Sequence, residues 1–257
     1  MRIIIGGPTY QRDWILTDWF AAIEKQTFPL SDIGFVFELG PNDDKTHEAL
    51  FSWHANHPEV FCFDVEIERN QSHITHKENE RVWTHNRYKM MAQLRNSVLE
   101  RVTCINPDRF FSLDSDILLE DPNTISRLVE LTETRDAVST LAYMKPTDTC
   151  YPNLMSWVSS PGGNARRIYS NYSLGEVFQS DIIMASKMMT RQVFQNVRYR
   201  FHRKGEDLGW SYECHKQGYK LYCASDLYTP HIMHKWMLPW YYMFGDIRKH
   251  MDLEKVI

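Results

Sequence analysis

The stretch RFFSLDSDILLEDP, residues 109–122, sets an apolar run against two carboxylates, Asp114 and Asp116, separated by a single serine. Phe110, Phe111, Leu113, Ile117, Leu118 and Leu119 leave little polar alternation, the pattern of a strand buried on both faces. Carboxylates beside such a strand must be solvated, paired or bound to a metal, because burying a bare charge is costly. Strands buried on both faces belong to parallel sheets, whose ligands bind outside the carboxyl ends of the strands. Asp114 and Asp116 occupy that end. Two carboxylates also offer the hard oxygen ligands that divalent cations prefer.

Working outward, strands and helices alternate. RIIIGG (2–7) is a short β-branched run closed by glycines and predicts a first strand. DWILTDWFAAIEKQ (13–26) follows with Trp14, Ile15, Trp19 and Ile23 at helical spacing. IGFVFELG (33–40) predicts a strand, KTHEALFSWHANH (45–57) a helix and EVFCFDVEI (59–67) a strand. NRYKMMAQLRNSVLERV (86–102) predicts an amphipathic helix with Met90, Met91, Leu94, Val98 and Val102 on one face. This order implies right-handed βαβ units and a parallel sheet. Thr9, Tyr10 and Glu38 then fall at strand ends beside Asp114 and Asp116, on one crevice.

Beyond residue 122 the expected order is a helix (122–134), a strand (136–144), a long irregular stretch (145–173) and a strand in FQSDIIMAS (178–186). KMMTRQVFQNV (187–197) and EDLGWSYECHKQG (206–218) are expected to be helices, and YKLYCAS (219–225) a strand. Loops as long as 145–173 are usually functional when they lie inside a compact domain.

With 257 residues the chain suits one large domain, and 43% hydrophobic with 24% charged residues is an ordinary globular composition. A net charge of -4 gives no global case for a nucleic acid or membrane partner. No apolar run reaches the roughly 20 residues a bilayer requires. Five scattered cysteines without a CxxC pair favour a reducing compartment, so a cytoplasmic location is expected.

Two more stretches carry chemistry. In KGEDLGW (204–210), Glu206 and Asp207 open a helix; taken alone this reads as acidic residues suiting the helix dipole, with a general base aimed into the crevice as the functional alternative. In LYTPHIMHK (227–235), His231 and His234 follow a strand and Pro230, which makes each a candidate metal ligand. His73, His76 and His85 lie in a polar stretch that reads as a solvated loop.

Together these motifs resemble the inverting, nucleotide-sugar-dependent glycosyltransferases of the GT-A fold. GGPTYQRDWIL (6–16) is similar to that family's first strand and PTYNR loop. QLRNSVLERV (93–102) is similar to its ARN helix, FFSLDSDILL (110–119) to its D-x-D strand, GEDLGWSYECHKQGYKLY (205–222) to its ED helix, and DLYTPHI (226–232) to its closing segment. The resemblance spans roughly residues 1–235 and implies an α/β fold, a GT-A type Rossmann-like sandwich with a mostly parallel central sheet. A donor-binding half (1–122), an acceptor half (123–235) and an aromatic, helical tail (236–257) are expected within it. The departure is FELGPNDDKT (37–46), where Glu38 stands in place of the family's base-contacting aspartate and Asp43 and Asp44 are displaced.

The resemblance also implies roles. Asp116 is a ligand for Mn2+ or Mg2+, Asp114 holds the ribose or the metal's water, and Ser115 lies between them. His231 is the third ligand, with His234 the substitute if the strand register slips. Pro8, Thr9, Tyr10, Arg12 and Glu38 frame the nucleoside of a nucleotide sugar, first of all a UDP-sugar, and Arg95 approaches the ribose or diphosphate. Asp207, with Glu206 beside it, deprotonates the acceptor hydroxyl for a single inverting displacement.

The acceptor is less defined. Trp157, Arg203 and Trp210 are candidate acceptor residues. Arg198, Arg200, Arg203 and Lys204, with Arg166 and Arg167 near Trp157 and Tyr169, read either as a solvated charged loop or as an anion-binding surface. The second reading points to a hydroxymethylated base in DNA, as in virus-encoded DNA glycosyltransferases, acting in a host cytoplasm after the base leaves the stack. The alternative is a surface polysaccharide or lipid-linked saccharide. Trp236, Trp240, Tyr241, Tyr242 and Phe244 would then meet a membrane interface, although a core or dimer contact accounts for them as well. A nucleotidyltransferase would want a more basic, glycine-rich first loop. A non-catalytic binder would be expected to lack Asp207 or the Asp114–Asp116 pair.

Overall fold

A computed structural model describes residues 1–40, 44–67, 84–144, 151–167 and 175–245. His73, His76, Asp43, Tyr169 and the stretch 145–150 fall outside these residues. The first half follows the expected alternation: β1 (Ile3–Thr9), α1 (Asp13–Glu24), β2 (Ile33–Leu39), α2 (Thr46–Asn56), β3 (Cys62–Ile67), α3 (His85–Ile105) and β4 (Arg109–Ser112). The second half contains α4 (Thr124–Leu131), β5 (Ala137–Met144), β6 (Tyr151–Pro152), β7 (Leu154–Trp157), β8 (Ala165–Arg167), β9 (Val177–Gln179) and β10 (Ile182–Ile183). It continues with β11 (Lys187–Thr190), α5 (Arg191–Asn196), α6 (Glu206–Lys216), β12 (Leu221–His231) and α7 (Met237–Phe244).

Among the described residues the main sheet has nine strands in the order β3-β2-β1-β4-β11-β5-β12-β9, with β6 on the side of β5. Strands β3, β2, β1 and β4 run parallel, as do β5 and β12, while β11 is antiparallel to both of its neighbours. The sheet is therefore mostly parallel, as expected. Ile3 and Ile5 point into a core with Ile15, Trp19 and Phe20 of α1, whereas Ile4 meets Val98 and Val102 of α3 on the other face. One strand thus supplies both layers, which is why RIII carries no polar alternation. Gly6 is required where β1 passes β2, since a Cβ there would stand 1.9 Å from the Val36 carbonyl oxygen.

The structure departs from the expected elements in four places. Strand β4 ends at Ser112, and Asp114 to Asp116 form a turn closed by the Ile117 amide on the Asp114 carbonyl (3.0 Å). KMMTRQVFQNV is a strand before it is a helix, so Met188 and Met189 are core residues of β11, one on each face of the sheet. FQSDIIMAS divides between two sheets, because the Ser180 hydroxyl bonds the Ile182 carbonyl and turns the chain. Part of the stretch expected to be irregular is ordered: β7 and β8 form a hairpin that β10 completes into a three-stranded sheet. In the tail, Pro239 sits in the first turn of α7, where a missing amide hydrogen costs nothing. Met237 and half-buried Tyr241 pack on the α1 core, while Trp236, Trp240 and Tyr242 remain exposed. No helix among the described residues is long and apolar enough to cross a membrane.

Candidate active site

The parallel strands deliver their carboxyl ends to one place, and the last strand reaches it by a change of register. Pairing of β12 with β5 shifts between Ala224 and Tyr228, after which Tyr228 to His231 follow Leu141 to Met144. The end of β12 then crosses the turn after β4. The Leu118 amide donates to the Pro230 carbonyl (3.0 Å), and the Ile232 amide to the Asp116 carbonyl (2.8 Å). This backbone clip sets the His231 Nε2 3.1 Å from Oδ1 of Asp116.

Asp116 is 3% exposed, and its other oxygen, Oδ2, lies 2.9 Å from the Arg12 guanidinium. Asp114 turns to Arg95 (2.9 Å), and its carbonyl accepts from the Trp19 indole (3.2 Å). Asp114, Asp116 and His231 each offer one ligand atom, all within 4.8 Å of one another. Two carboxylate oxygens and an imidazole nitrogen suit a small divalent cation of the Mg2+ or Mn2+ type. Ser115 between them is buried, and His234 instead stacks parallel to Trp236 with ring centroids 6.0 Å apart.

The loop after β1 is held by its own backbone. Gln11 adopts a left-handed conformation (φ 49°), the Arg12 amide donates to Thr46 Oγ1 (2.7 Å), and the Arg12 guanidinium caps the Tyr10 carbonyl (2.9 Å). Pro8 and Tyr10 are half-buried and Thr9 is buried. Asp44 accepts from the Thr46 and Asp13 amides, joining the starts of α2 and α1. Glu38 is buried and carries both Ser97 (2.6 Å) and Arg101 (2.9 Å), and Arg101 also reaches Asp64 (3.0 Å). Its carboxylate thus ties α3 to the end of β2, and Arg101 extends the link to β3.

Helix α6 begins after Gly205, whose φ of 139° suits glycine alone, and brings Glu206 and Asp207 to the same crevice. Glu206 pairs with Arg95 (3.1 Å), which also reaches Ser112 Oγ (3.4 Å) and Asp114. Arg95 therefore spans the acidic pair of α6 and the acidic turn after β4. Asp207 pairs with Lys187 (2.5 Å), a fully buried lysine on β11. Burial alone would push the Asp207 carboxyl up, but Lys187 and then Arg95 overcome this and hold it below its ordinary value. Glu206 is displaced the opposite way: burial, reinforced by the charge of Asp207, raises it against the pull of Arg95. Two adjacent carboxyls are thereby set apart by environment, a common arrangement at reactive sites.

The acceptor-side residues separate. Trp157 is half-buried with its ring edge-on to His202, 6.0 Å between centroids. Trp210 is fully buried, its ring facing the Lys187 ammonium 4.9 Å from the centroid. The basic cluster is largely engaged within the chain. Arg198 donates to the Phe194, Gln195 and Val197 carbonyls, Arg200 pairs with Glu213, Arg203 reaches Asn164, and Lys204 reaches the Ala165 carbonyl. Arg203 and Lys204 thus fasten the β7–β8 hairpin beside the start of α6, while Arg166 is exposed. Lys187 and Arg101 are the site residues that the sequence hides. Each is a single basic residue in a segment whose partners lie far along the chain.

The packing of α6 yields a prediction. A Cβ on Gly209 would lie 1.9 Å from the Arg200 carbonyl oxygen. In an open helix, Gly→Ala stabilises by about 1 kcal/mol. Here Gly209→Ala is expected to destabilise by about 3 kcal/mol, because backbone rather than a movable side chain is struck. Urea unfolding reads the sign; a gain in stability would mean that α6 does not press on the Arg200 loop.

Comparison with known proteins places these features. A family model described as glycosyltransferase family 25, N-terminal domain, matches residues 8–202. A glycosyltransferase 25 family member of Aedes aegypti is 22% identical over 131 residues, which is 51% of this chain and 22% of that protein. The chain thus spans only a minor part of that relative's length. The mannosyltransferase PcManGT of Pyrobaculum calidifontis, in complex with GDP-Man and Mn2+, superposes with a TM-score of 0.58 at 15% identity, covering 91% of this chain and 57% of that one. S. aureus TarS 1-349 in complex with UDP-GlcNAc gives 0.57 at 15% identity, covering 90% and 58%. GalNAc-T7 with UDP, GalNAc and Mn2+ gives 0.61 at 13%, covering 91% and 43%. At such identities the likeness establishes the fold, that of the GT-A glycosyltransferases.

Proposed function

The chain belongs to the family of glycosyltransferase family 25 N-terminal domains, and from that premise we propose that it moves a sugar from a nucleotide-sugar donor to an acceptor hydroxyl. The observation that carries the proposal is the convergence of Asp114, Asp116 and His231 with the buried Glu206–Asp207 pair, joined through Arg95. Asp116, His231 and Asp114 would hold a divalent cation, Mn2+ or Mg2+. When bound, such an ion offsets the charge that develops on a departing diphosphate.

The remaining steps use the chain's own groups. Arg12, next to Asp116, supplies a guanidinium for the diphosphate oxygens, and Pro8, Thr9, Tyr10 and Glu38 border the nucleoside. Asp207, held ionised, takes the proton of the acceptor hydroxyl. The acceptor oxygen then bonds to the anomeric carbon as the bond from that carbon to the diphosphate oxygen breaks. A single displacement of this kind inverts the anomeric centre. UDP-sugars are the first donors to try, given that UDP or UDP-GlcNAc is named with two of the related structures and GDP-Man with a third. A cytoplasmic site of action, and a donor half in residues 1–122, belong to the same proposal.

For the acceptor, the cations that suggest DNA have many of their donors tied within the chain, which weakens their grip on a phosphate backbone. Hydroxymethylated DNA and saccharide acceptors therefore enter the test as separate arms. A panel of UDP-, GDP- and other nucleotide sugars with Mn2+, scored by release of free nucleotide, is expected to single out one donor. The same panel with each acceptor then reports which hydroxyl is taken. Silence with every donor would sink the transferase reading.

A further inference from the structure

Lys187 is a buried cation that the sequence conceals. It opens β11, opposite Ser112 of β4 and Ser139 of β5, and its side chain is on the α6 face of the sheet. It is 0% exposed and meets Asp207 Oδ1 at 2.5 Å. Its ammonium lies 4.9 Å from the ring centroid of Trp210 and 5.3 Å from that of Tyr199, so aromatic faces flank the charge. Arg95, the other cation nearby, is divided between Asp114 and Glu206. Lys187 is thus the counter-ion of Asp207 alone.

Stability is a poor reason for such a pair. Buried ion pairs commonly do no better than apolar side chains of the same volume, because two charges must be desolvated. A charge retained in this position is better explained by what it does to its partner. We propose that Lys187 is a positioning residue for transfer, holding Asp207 as an ionised carboxylate fixed by one oxygen against the α6 face of the sheet. This rests on Asp207 being the base.

The groups facing Asp207 agree with that role. Lys187 comes from β11, Arg95 from α3, Tyr199 from the segment between α5 and α6, the Ala185 backbone from the turn before β11, and Glu206 from its own helix. Burial raises the Tyr199 phenol, which leaves it neutral, and burial likewise opposes the Lys187 charge, yet Asp207 holds that lysine protonated. Lys187, Arg95 and the hydrogen bond to the Ala185 backbone all favour the ionised aspartate, and Lys187 contributes more than Arg95.

The test compares Lys187→Met, of similar length and volume, with Asp207→Asn. Lys187→Met is expected to fold and to bind donor nucleotide within about twofold of the parent, while kcat falls about 100-fold. Its acid limb in the kcat–pH profile moves up, because the carboxyl loses the cation that favours its ionised form. In Lys187→Ala, added ethylamine restores rate and ethanol does not. An unmoved profile and rate in Lys187→Met, beside an inactive Asp207→Asn, overturns the role of Lys187 and leaves the base intact. An active Asp207→Asn overturns the base and this proposal with it. Should the lysine variants fail to fold, the carboxyl 13C resonance of Asp207 in the parent protein, assigned by its loss in Asp207→Asn, decides. It is expected to stay ionised to below the ordinary aspartate range, and titration within or above that range overturns the proposal.

Discussion

Asp207→Asn is expected to abolish transfer, with kcat falling by about 10³-fold or more, while nucleotide binding persists. The amide keeps the shape of the carboxylate but accepts no proton at neutral pH. Lys187 is fully buried and its ammonium is bonded to Asp207. Asparagine leaves that charge without a counter-ion, and breaking a buried pair in this way costs about 3–5 kcal/mol. Loss of activity alone would therefore be ambiguous between chemistry and unfolding. The double variant Asp207→Asn/Lys187→Met removes both charges and is expected to recover most of the lost stability in thermal unfolding while staying inactive. Activity in the stable double variant would show that another group takes the proton, with Glu206 the first to examine.

Asp116→Asn is expected to remove divalent-ion binding and to lower transfer about 100-fold or more. Asp116 is the junction of the site: its two oxygens face His231 and Arg12, and its carbonyl anchors the backbone of Ile232. Asparagine preserves the carbonyl clip and the side-chain volume, so the fold should survive. What it loses is the charge that a hard cation needs. Titration of Mn2+ by its paramagnetic signal, in the absence of any sugar donor, isolates the ion from the reaction. His231→Ala should weaken Mn2+ less severely, because one neutral ligand of three is removed. Unchanged Mn2+ affinity in Asp116→Asn would move the cation elsewhere.

Much of this site is legible in the sequence because its parts are local. Asp114 and Asp116 announce themselves by following an apolar run, and Glu206–Asp207 by opening a helix after a glycine. The order of strands up to β4 follows from alternation alone. What stays hidden depends on partners remote in sequence. Nothing in KMMTRQVFQNV distinguishes a strand from a helix, since its apolar residues fit either period. Its strand character comes from insertion between β4 and β5. Lys187, read locally, is one more surface lysine. Only the meeting of β11 with α6 makes it a buried cation. The basic run from Arg198 to Lys204 is equally visible, but its employment in holding helix ends and the β7–β8 hairpin is not, because the acceptors are mostly backbone carbonyls.

The register shift in β12 has a consequence for how the protein is assembled in time. Asp116 and His231 are 115 residues apart, so the cation site does not exist until the final strand has docked on the turn after β4. Strands β1 to β5 and β11 can pair with one another before β12 arrives, whereas β9 waits for β12 as its partner. An ion that binds the finished site and not the open chain adds its binding free energy to the closure of that strand, about 2.7 kcal/mol at a hundredfold excess over its dissociation constant. A metal bound there would act as a latch on the docking of β12, and the crevice would become competent for a donor only once that strand is in place.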